Sequence, residues 1–198
     1  MLNKERQEEV VELCQHLIQK QSYSGHEDGV AGVLEEQLKK KGFDSVTVDK
    51  YGNVIGCIKG NRPGKKILFD GHIDTVPVTD ETEWQYPPFA AEIHDGKIYG
   101  RGTSDMKGAV AGFVTAAAAF AEDTKKDFAG EIYVAGVVHE ECFEGVAARE
   151  ISNFVKPDYV VIGEASQLNI KIGQRGRGEI VLETFGKPCH SANPEKGI

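Results

Sequence analysis

The sequence predicts an α/β sandwich around a largely parallel or mixed sheet. Three observations predict it. Short Val/Ile-rich runs alternate with longer segments of helical periodicity, the pattern of a sheet covered by helices. The 198 residues are 40% hydrophobic and 27% charged, values of a globular chain that buries a sizeable core. No internal repeat or low-complexity tract breaks the alternation.

Each element follows from its own pattern. Val10, Leu13, Leu17 and Ile18 recur at helical spacing, and Ser22 to Gly25 ends that helix. A second helix carries Val30, Leu34 and Leu38 on one face. Lys39, Lys40 and Lys41 complement the dipole of its last turn, and Gly42 is placed to cap it. Val46 and Val48 alternate, Tyr51-Gly52-Asn53 turns, and Val54 to Ile58 returns as a hairpin. Lys65 to Phe69 reads as a buried strand running into Asp70-Gly71-His72-Ile73-Asp74. A second turn-rich pair surrounds His94-Asp95-Gly96-Lys97. Gly100-Arg101-Gly102 makes a loop before a helix from Met106 to Ala121, whose Ala116 to Ala119 run favours helix and close packing. Glu131 to Val138 is a strand, Glu144 to Val155 a helix, and Tyr159 to Ile162 a short strand ending in Gly163-Glu164. Glu179 to Phe185 alternates as a further strand after the character of the chain changes at Ile170.

Composition excludes several classes. The formal net charge of −8 gives no global positive field for nucleic acid or anionic lipid. Cys14, Cys57, Cys142 and Cys189 form neither a Cys-x-x-Cys pair nor a disulfide framework. The charged start lacks the apolar core of a signal peptide, and no stretch is apolar for long enough to span a membrane. A reducing cytoplasm is the expected compartment.

Histidine and acidic residues gather at predicted strand ends and strand-to-helix loops: His72 with Asp74, Asp105, Glu140 with Glu141, and Glu164. Ligands of open α/β sheets bind at the carboxyl ends of strands, so these segments should converge. Imidazole and carboxylate suit a divalent ion such as zinc. Taken singly, each has a plain reading: a loop His-x-Asp, a solvated helix start at Glu140-Glu141, an N-cap at Asp105. Their joint placement favours the metal. Competing motifs fail on detail. His139-Glu140-Glu141-Cys142-Phe143 begins like a zincin helix but has Phe143 where the second histidine belongs. Gly100-Arg101-Gly102-Thr103-Ser104-Asp105 begins like a dinucleotide fingerprint but sets a carboxylate where the third glycine belongs. Cys189 and His190 are adjacent, and adjacent residues of a strand point to opposite faces, which disfavours a thiol nucleophile.

These segments also resemble a known family. Phe69-Asp70-Gly71-His72-Ile73-Asp74-Thr75-Val76-Pro77 and Gly100-Arg101-Gly102-Thr103-Ser104-Asp105-Met106-Lys107-Gly108 are similar to the first two metal motifs of the acetylornithine deacetylase, succinyl-diaminopimelate desuccinylase and glutamate carboxypeptidase family, metallopeptidase family twenty. Glu140-Glu141, Gly163-Glu164 and Pro188-Cys189-His190-Ser191-Ala192-Asn193-Pro194 resemble its later motifs in order and spacing. Val138-His139-Glu140-Glu141 and Arg175-Gly176-Arg177-Gly178 are most similar to its selenium-metabolism hydrolase subgroup.

The resemblance implies a zinc-exopeptidase-like three-layer sandwich with a mixed sheet. Residues 1–172 would be a metal-binding catalytic domain lacking its C-terminal part, and residues 173–198 the first strand of a lid, or dimerisation, domain. It implies two divalent ions, zinc first and cobalt or manganese as alternatives. His72 and Glu164 would hold one ion, Asp105 would bridge, and Glu141 would hold the second. Glu140 would be the general base, Asp74 would orient His72, and His190 would stabilise an oxyanion in a partner subunit. The Asp105–Met106 peptide would be cis. The implied activity is hydrolysis of an amide bond in an N-acyl amino acid or small peptide, by a homodimer when full-length, with no nucleic-acid or membrane partner. A further histidine ligand that the family takes from near its C-terminus has no counterpart here. The expectation is therefore an N-terminal fragment, and the alternative is a truncated, inactive metal- or partner-binding chain.

Overall fold

The computed structural model describes residues 3–143, 145–173, 175–176, 178, 180–183 and 185–197. The chain divides into two compact units, Met1–Ala165 and Ser166–Ile198.

The first unit opens with helices α1 (Lys4–Ile18) and α2 (Asp28–Lys40). Asn3 caps α1 by accepting from the Arg6 amide at 2.9 Å. Gly42, at φ 76°, follows α2 in the left-handed conformation that the end of a helix uses. Strands β1 (Ser45–Val48), β2 (Val54–Lys59), β3 (Arg62–His72), β6 (Ala129–Val137) and β7 (Tyr159–Ile162) form one sheet in the order β1-β2-β6-β3-β7. A separate hairpin joins β4 (Glu92–His94) to β5 (Lys97–Tyr99). Helix α3 (Gly108–Thr124) lies between the hairpin and β6, and α4 (Val146–Val155) between β6 and β7.

The sheet is mixed. β1 and β2, and β2 and β6, pair antiparallel, while β3 pairs parallel with both β6 and β7. Side-chain alternation sends Ile67, Phe69 and Gly71 of β3 to one face with Val134 and Gly136 of β6. On that face a Cβ at Gly71 would lie 2.8 Å from Val110 of α3, and one at Gly136 would lie 2.3 Å from Leu34 of α2. The opposite face carries Leu68 and Lys66. Lys66 Nζ donates to Val155 O at the end of α4 at 3.0 Å. The sheet is thus a middle layer between helices. The core is apolar, with Leu17, Leu34, Leu38, Val114, Val134 and Ile151 fully buried, each contributing about 1.5–3 kcal/mol by leaving water.

Some expectations change in detail, and the helix read over Met106 to Ala121 runs from Gly108 to Thr124. The helix read from Glu144 starts at Val146, after Gly145 at φ 74°; Glu144 itself lies outside the described residues. Of the strand read as buried over Lys65 to Phe69, only Leu68 is fully so. Ile67 and Phe69 line a cavity of about 520 Å³ with Phe113, Phe120 and Phe128. No helix among the described residues is long and apolar enough to cross a membrane.

The second unit contains a short 3₁₀ turn, Pro194–Lys196. Of the strand read over Glu179 to Phe185, Glu179 and Thr184 lie outside the described residues. Residues 180–183 and 185 carry no strand pairing among the described residues.

Candidate metal centre

Because β6, β3 and β7 are parallel neighbours, their carboxyl ends fall side by side. The register pairs His72 with Val137 and Asp70 with Ile162. His72 therefore ends β3 beside the segment that leads to Glu140 and Glu141 and the segment that leads to Glu164. Asp105 arrives differently. It sits in a five-residue turn, Thr103–Lys107, that feeds α3. Its peptide to Met106 is cis, as the resemblance implied.

The imidazole organises the cluster. His72 Nδ1 faces the Asp74 backbone oxygen at 3.0 Å and the Asp74 carboxylate at 3.5 Å. That contact directs Nε2 at the acids. Nε2 lies 2.9 Å from Asp105 Oδ1, 3.5 Å from Glu164 Oε1 and 4.0 Å from Glu140 Oε2. Among the described residues, two groups of donor atoms each gather within 4.8 Å: His72, Glu140 and Glu164, and His72, Asp105 and Glu141. His139 is in neither group.

The electrostatics favour a cation. Burial pushes the Glu140 carboxyl up to about 7, and Glu164 and Glu141 push the same way against the opposing His72. Glu141 and Glu164 are also raised, first by burial and then by the Asp105 charge. His72 is raised to about 10. Burial opposes its charge, but hydrogen bonds to Asp74 and Asp105 outweigh it. One imidazole nitrogen and four crowded carboxylates form a donor set that suits a divalent ion, which would relieve their mutual repulsion.

Asp74 does more than face a histidine. Fully buried, it accepts from Ser24 Oγ at 2.7 Å and from the Glu140 and Glu141 amides, both at 3.1 Å. Burial disfavours its charge, yet His72, Ser24 and the Glu141 amide hold its carboxyl below the usual range. Sequence reasoning missed Ser24, which it read only as a helix breaker. It also passed over Lys107, whose buried Nζ donates to Leu17 O and Lys20 O, both at 2.9 Å, tying the Asp105 turn to the end of α1. Its place in the Asp-Met-Lys-Gly segment was the available signal. His190 belongs to the second unit, where its Nδ1 accepts from the Ala192 amide at 3.1 Å.

The family model for peptidase family M20/M25/M40 matches residues 68–195. Succinyl-diaminopimelate desuccinylase 2 of Ruegeria sp. (strain TM1040) is 35% identical over 198 residues, covering 94% of this chain and 50% of its own length. The uncharacterized protein YgeY of Escherichia coli (strain K12) is 34% identical over 200 residues, covering 98% of this chain and 48% of its own. Among solved structures, the M20 family metallo-carboxypeptidase Sso-CP2 from Sulfolobus solfataricus shares the fold with a TM-score of 0.68 at 24% identity, over 78% of this chain and 37% of that one. The chain spans about half the length of the curated relatives it matches.

Proposed function

The chain belongs to peptidase family M20/M25/M40, and from the geometry of its site we propose that it is the catalytic part of a metal-dependent amide hydrolase. The substrate class is a small N-acyl amino acid or peptide. The observation that supports this best is the convergence of His72 Nε2 with Asp105, Glu140, Glu141 and Glu164 in two overlapping donor groups.

His72 and Glu164 would hold one divalent ion, Asp105 would bridge, and Glu141 would hold the second, with zinc the first candidate. Bound there, the ions supply Lewis acidity to water and to the amide carbonyl. The residues supply the rest. Glu140 accepts a proton from the attacking water and returns it to the leaving nitrogen, so that an amine and a carboxylate separate. Asp74 holds His72 in the tautomer that turns Nε2 inward and fixes the Glu140 and Glu141 amides. His190, acting across a homodimer, would donate to the oxyanion. Residues 1–172 would form the catalytic domain and residues 173–198 the start of the lid.

The test pairs binding with turnover. Calorimetric titration with Zn²⁺ or Co²⁺ should show binding to the parent chain and to Glu140→Gln, and its loss in Asp105→Ala. A panel of N-acyl amino acids and dipeptides should show hydrolysis that Glu140→Gln lowers by about 100-fold or more. Binding without Glu140-dependent turnover would remove the hydrolase reading for this chain.

A further inference from the structure

The proposed reaction needs Glu140 and Glu141 held in place, and the inference below rests on that reading. Both lie on the segment that leaves β6. Four consecutive amides of this segment donate to buried side-chain oxygens rather than to a neighbouring strand. Val138 N–H donates to Asn53 Oδ1 at 3.0 Å, and His139 N–H to Glu27 Oε1 at 2.9 Å. The Glu140 and Glu141 amides take the two oxygens of Asp74, both at 3.1 Å. The acceptors come from three distant places in the chain: the start of β2, the start of α2 and the end of β3. Asn53 and Asp74 are 0% exposed and Glu27 is 5% exposed.

The segment needs such anchors. His139 has φ 58°, which costs a residue with a Cβ on the order of 1–3 kcal/mol and persists only where the surroundings enforce it. Glu27 stands at the N-cap position of α2 yet makes no capping bond with its side chain. Its carboxylate turns to the His139 amide instead, with His139 Nδ1 at 3.7 Å, and the positive end of α2 offsets its charge. Asn53 is pinned from its other side, where Nδ2 donates to Asp49 Oδ2 at 2.7 Å and to Ala147 O at 3.2 Å. Its Oδ1 is thereby fixed toward Val138. Fully satisfied buried networks of this kind rigidify what they hold.

We propose that Glu27 and Asn53 are positioning residues of the hydrolytic site. They fix the backbone at 138 and 139, which aims Glu140 and Glu141 at the His72 cluster before any ligand binds. Displacements of about 1 Å at such a site can cost 100-fold in rate, which gives a buried anchor on a neighbouring amide its value.

The experiment uses the full chain and two readouts: amide hydrogen exchange over residues 138–141, and Co²⁺ affinity by titration. Glu27→Leu and Asn53→Leu remove the acceptor at similar size. Glu27→Gln keeps an oxygen at the same reach. The Leu variants should raise exchange at 138–141 by about tenfold or more and weaken Co²⁺ binding by about 10–100-fold, the range of lost outer-shell partners. Glu27→Gln should stay within about threefold of the parent in both. Exchange at Val134 and Ala135, inside the sheet, reports whether a variant has unfolded. If a Leu variant has, Glu27→Asp, which keeps the charge but withdraws the oxygen, should still raise exchange at His139. Unchanged exchange in folded Leu variants, or Glu27→Gln as impaired as Glu27→Leu, overturns the proposal. Asp105→Ala separates the two readings, because it should abolish Co²⁺ binding while leaving exchange at 138–141 as in the parent. A parent chain that binds no Co²⁺ would sink the hydrolase reading, and the exchange pattern would still decide the anchors.

Discussion

Lys107 is 0% exposed, and its ammonium meets the carbonyls of Leu17 and Lys20. Burial lowers its pKa to about 8, although Cys14 and Asp74 pull the other way. In the unfolded chain it would return to roughly 10.4. Below pH 8 both states hold the proton, and the folded state carries the whole desolvation cost. Between about pH 8 and 10.5 the unfolded chain binds more protons than the folded one, so this residue makes stability rise with pH. Urea unfolding of the parent and of Lys107→Met, across that window, should show their difference moving toward the parent by roughly 2–3 kcal/mol. Cys14 opposes the trend. Its thiol is raised to about 11, chiefly by burial, but this acts in both proteins and largely cancels. A difference that stays flat with pH would show that Lys107 is not held as the structure has it.

At the scale of elements, the turn from Gly100 to Lys107 does what a strand end does for the other ligands. Gly102 has φ 86°, and a Cβ there would lie 2.8 Å from Thr75 Cγ2 and 3.2 Å from Lys107 Cδ. Gly102→Ala should therefore lower unfolding free energy by about 1–3 kcal/mol and weaken Co²⁺ binding through displacement of Asp105. Chemical denaturation and titration check it, and a neutral substitution would contradict the turn geometry. The strands were legible where apolar runs meet turn residues: Tyr159 to Ile162 has the same bounds in sequence and structure, and β6 differs by two residues at its start and one at its end. Convergence of His72, Glu140 and Glu164 was legible too, because parallel strands send their carboxyl ends one way. The arrival of Asp105 on a turn was not, because no periodicity marks a bend that tertiary contacts hold. Glu27, Asn53 and Ser24 were hidden for a related reason. Each acts through a hydrogen bond to a partner at least 50 positions away, and hydrophobic patterning carries no trace of that. Ile67 and Phe69 stay half-buried because their face of the sheet opens on the aromatic cavity they line with Phe113, Phe120 and Phe128.

At the scale of the whole molecule, β7 ends the sheet among the described residues and its apolar side chains are exposed. Tyr159, Val160, Val161 and Ile162 are 60%, 49%, 40% and 59% exposed. Pairing with β3 puts Tyr159 and Val161 on the face of Ile67 and Phe69, next to the aromatic cavity beneath α3, where Phe120 is 45% exposed. An edge strand with unpaired backbone and β-branched side chains invites pairing with another chain, and an apolar patch beside it adds a driving force for association. At micromolar concentrations and above, where exposed edges of this kind aggregate, the 198-residue chain should sediment as a concentration-dependent mixture and bind an apolar dye. Lysine is the residue natural sheets use to protect an edge. Tyr159→Lys combined with Val161→Lys should return the chain toward a single sedimenting species and reduce dye binding, while changing unfolding free energy by no more than about 1–2 kcal/mol, since both positions are already exposed in part. This strand leads to Glu164, so Co²⁺ binding serves as the control that the site survives the substitutions. A parent chain that is monomeric from roughly 1 to 100 μM and binds no dye would show that this edge is already satisfied.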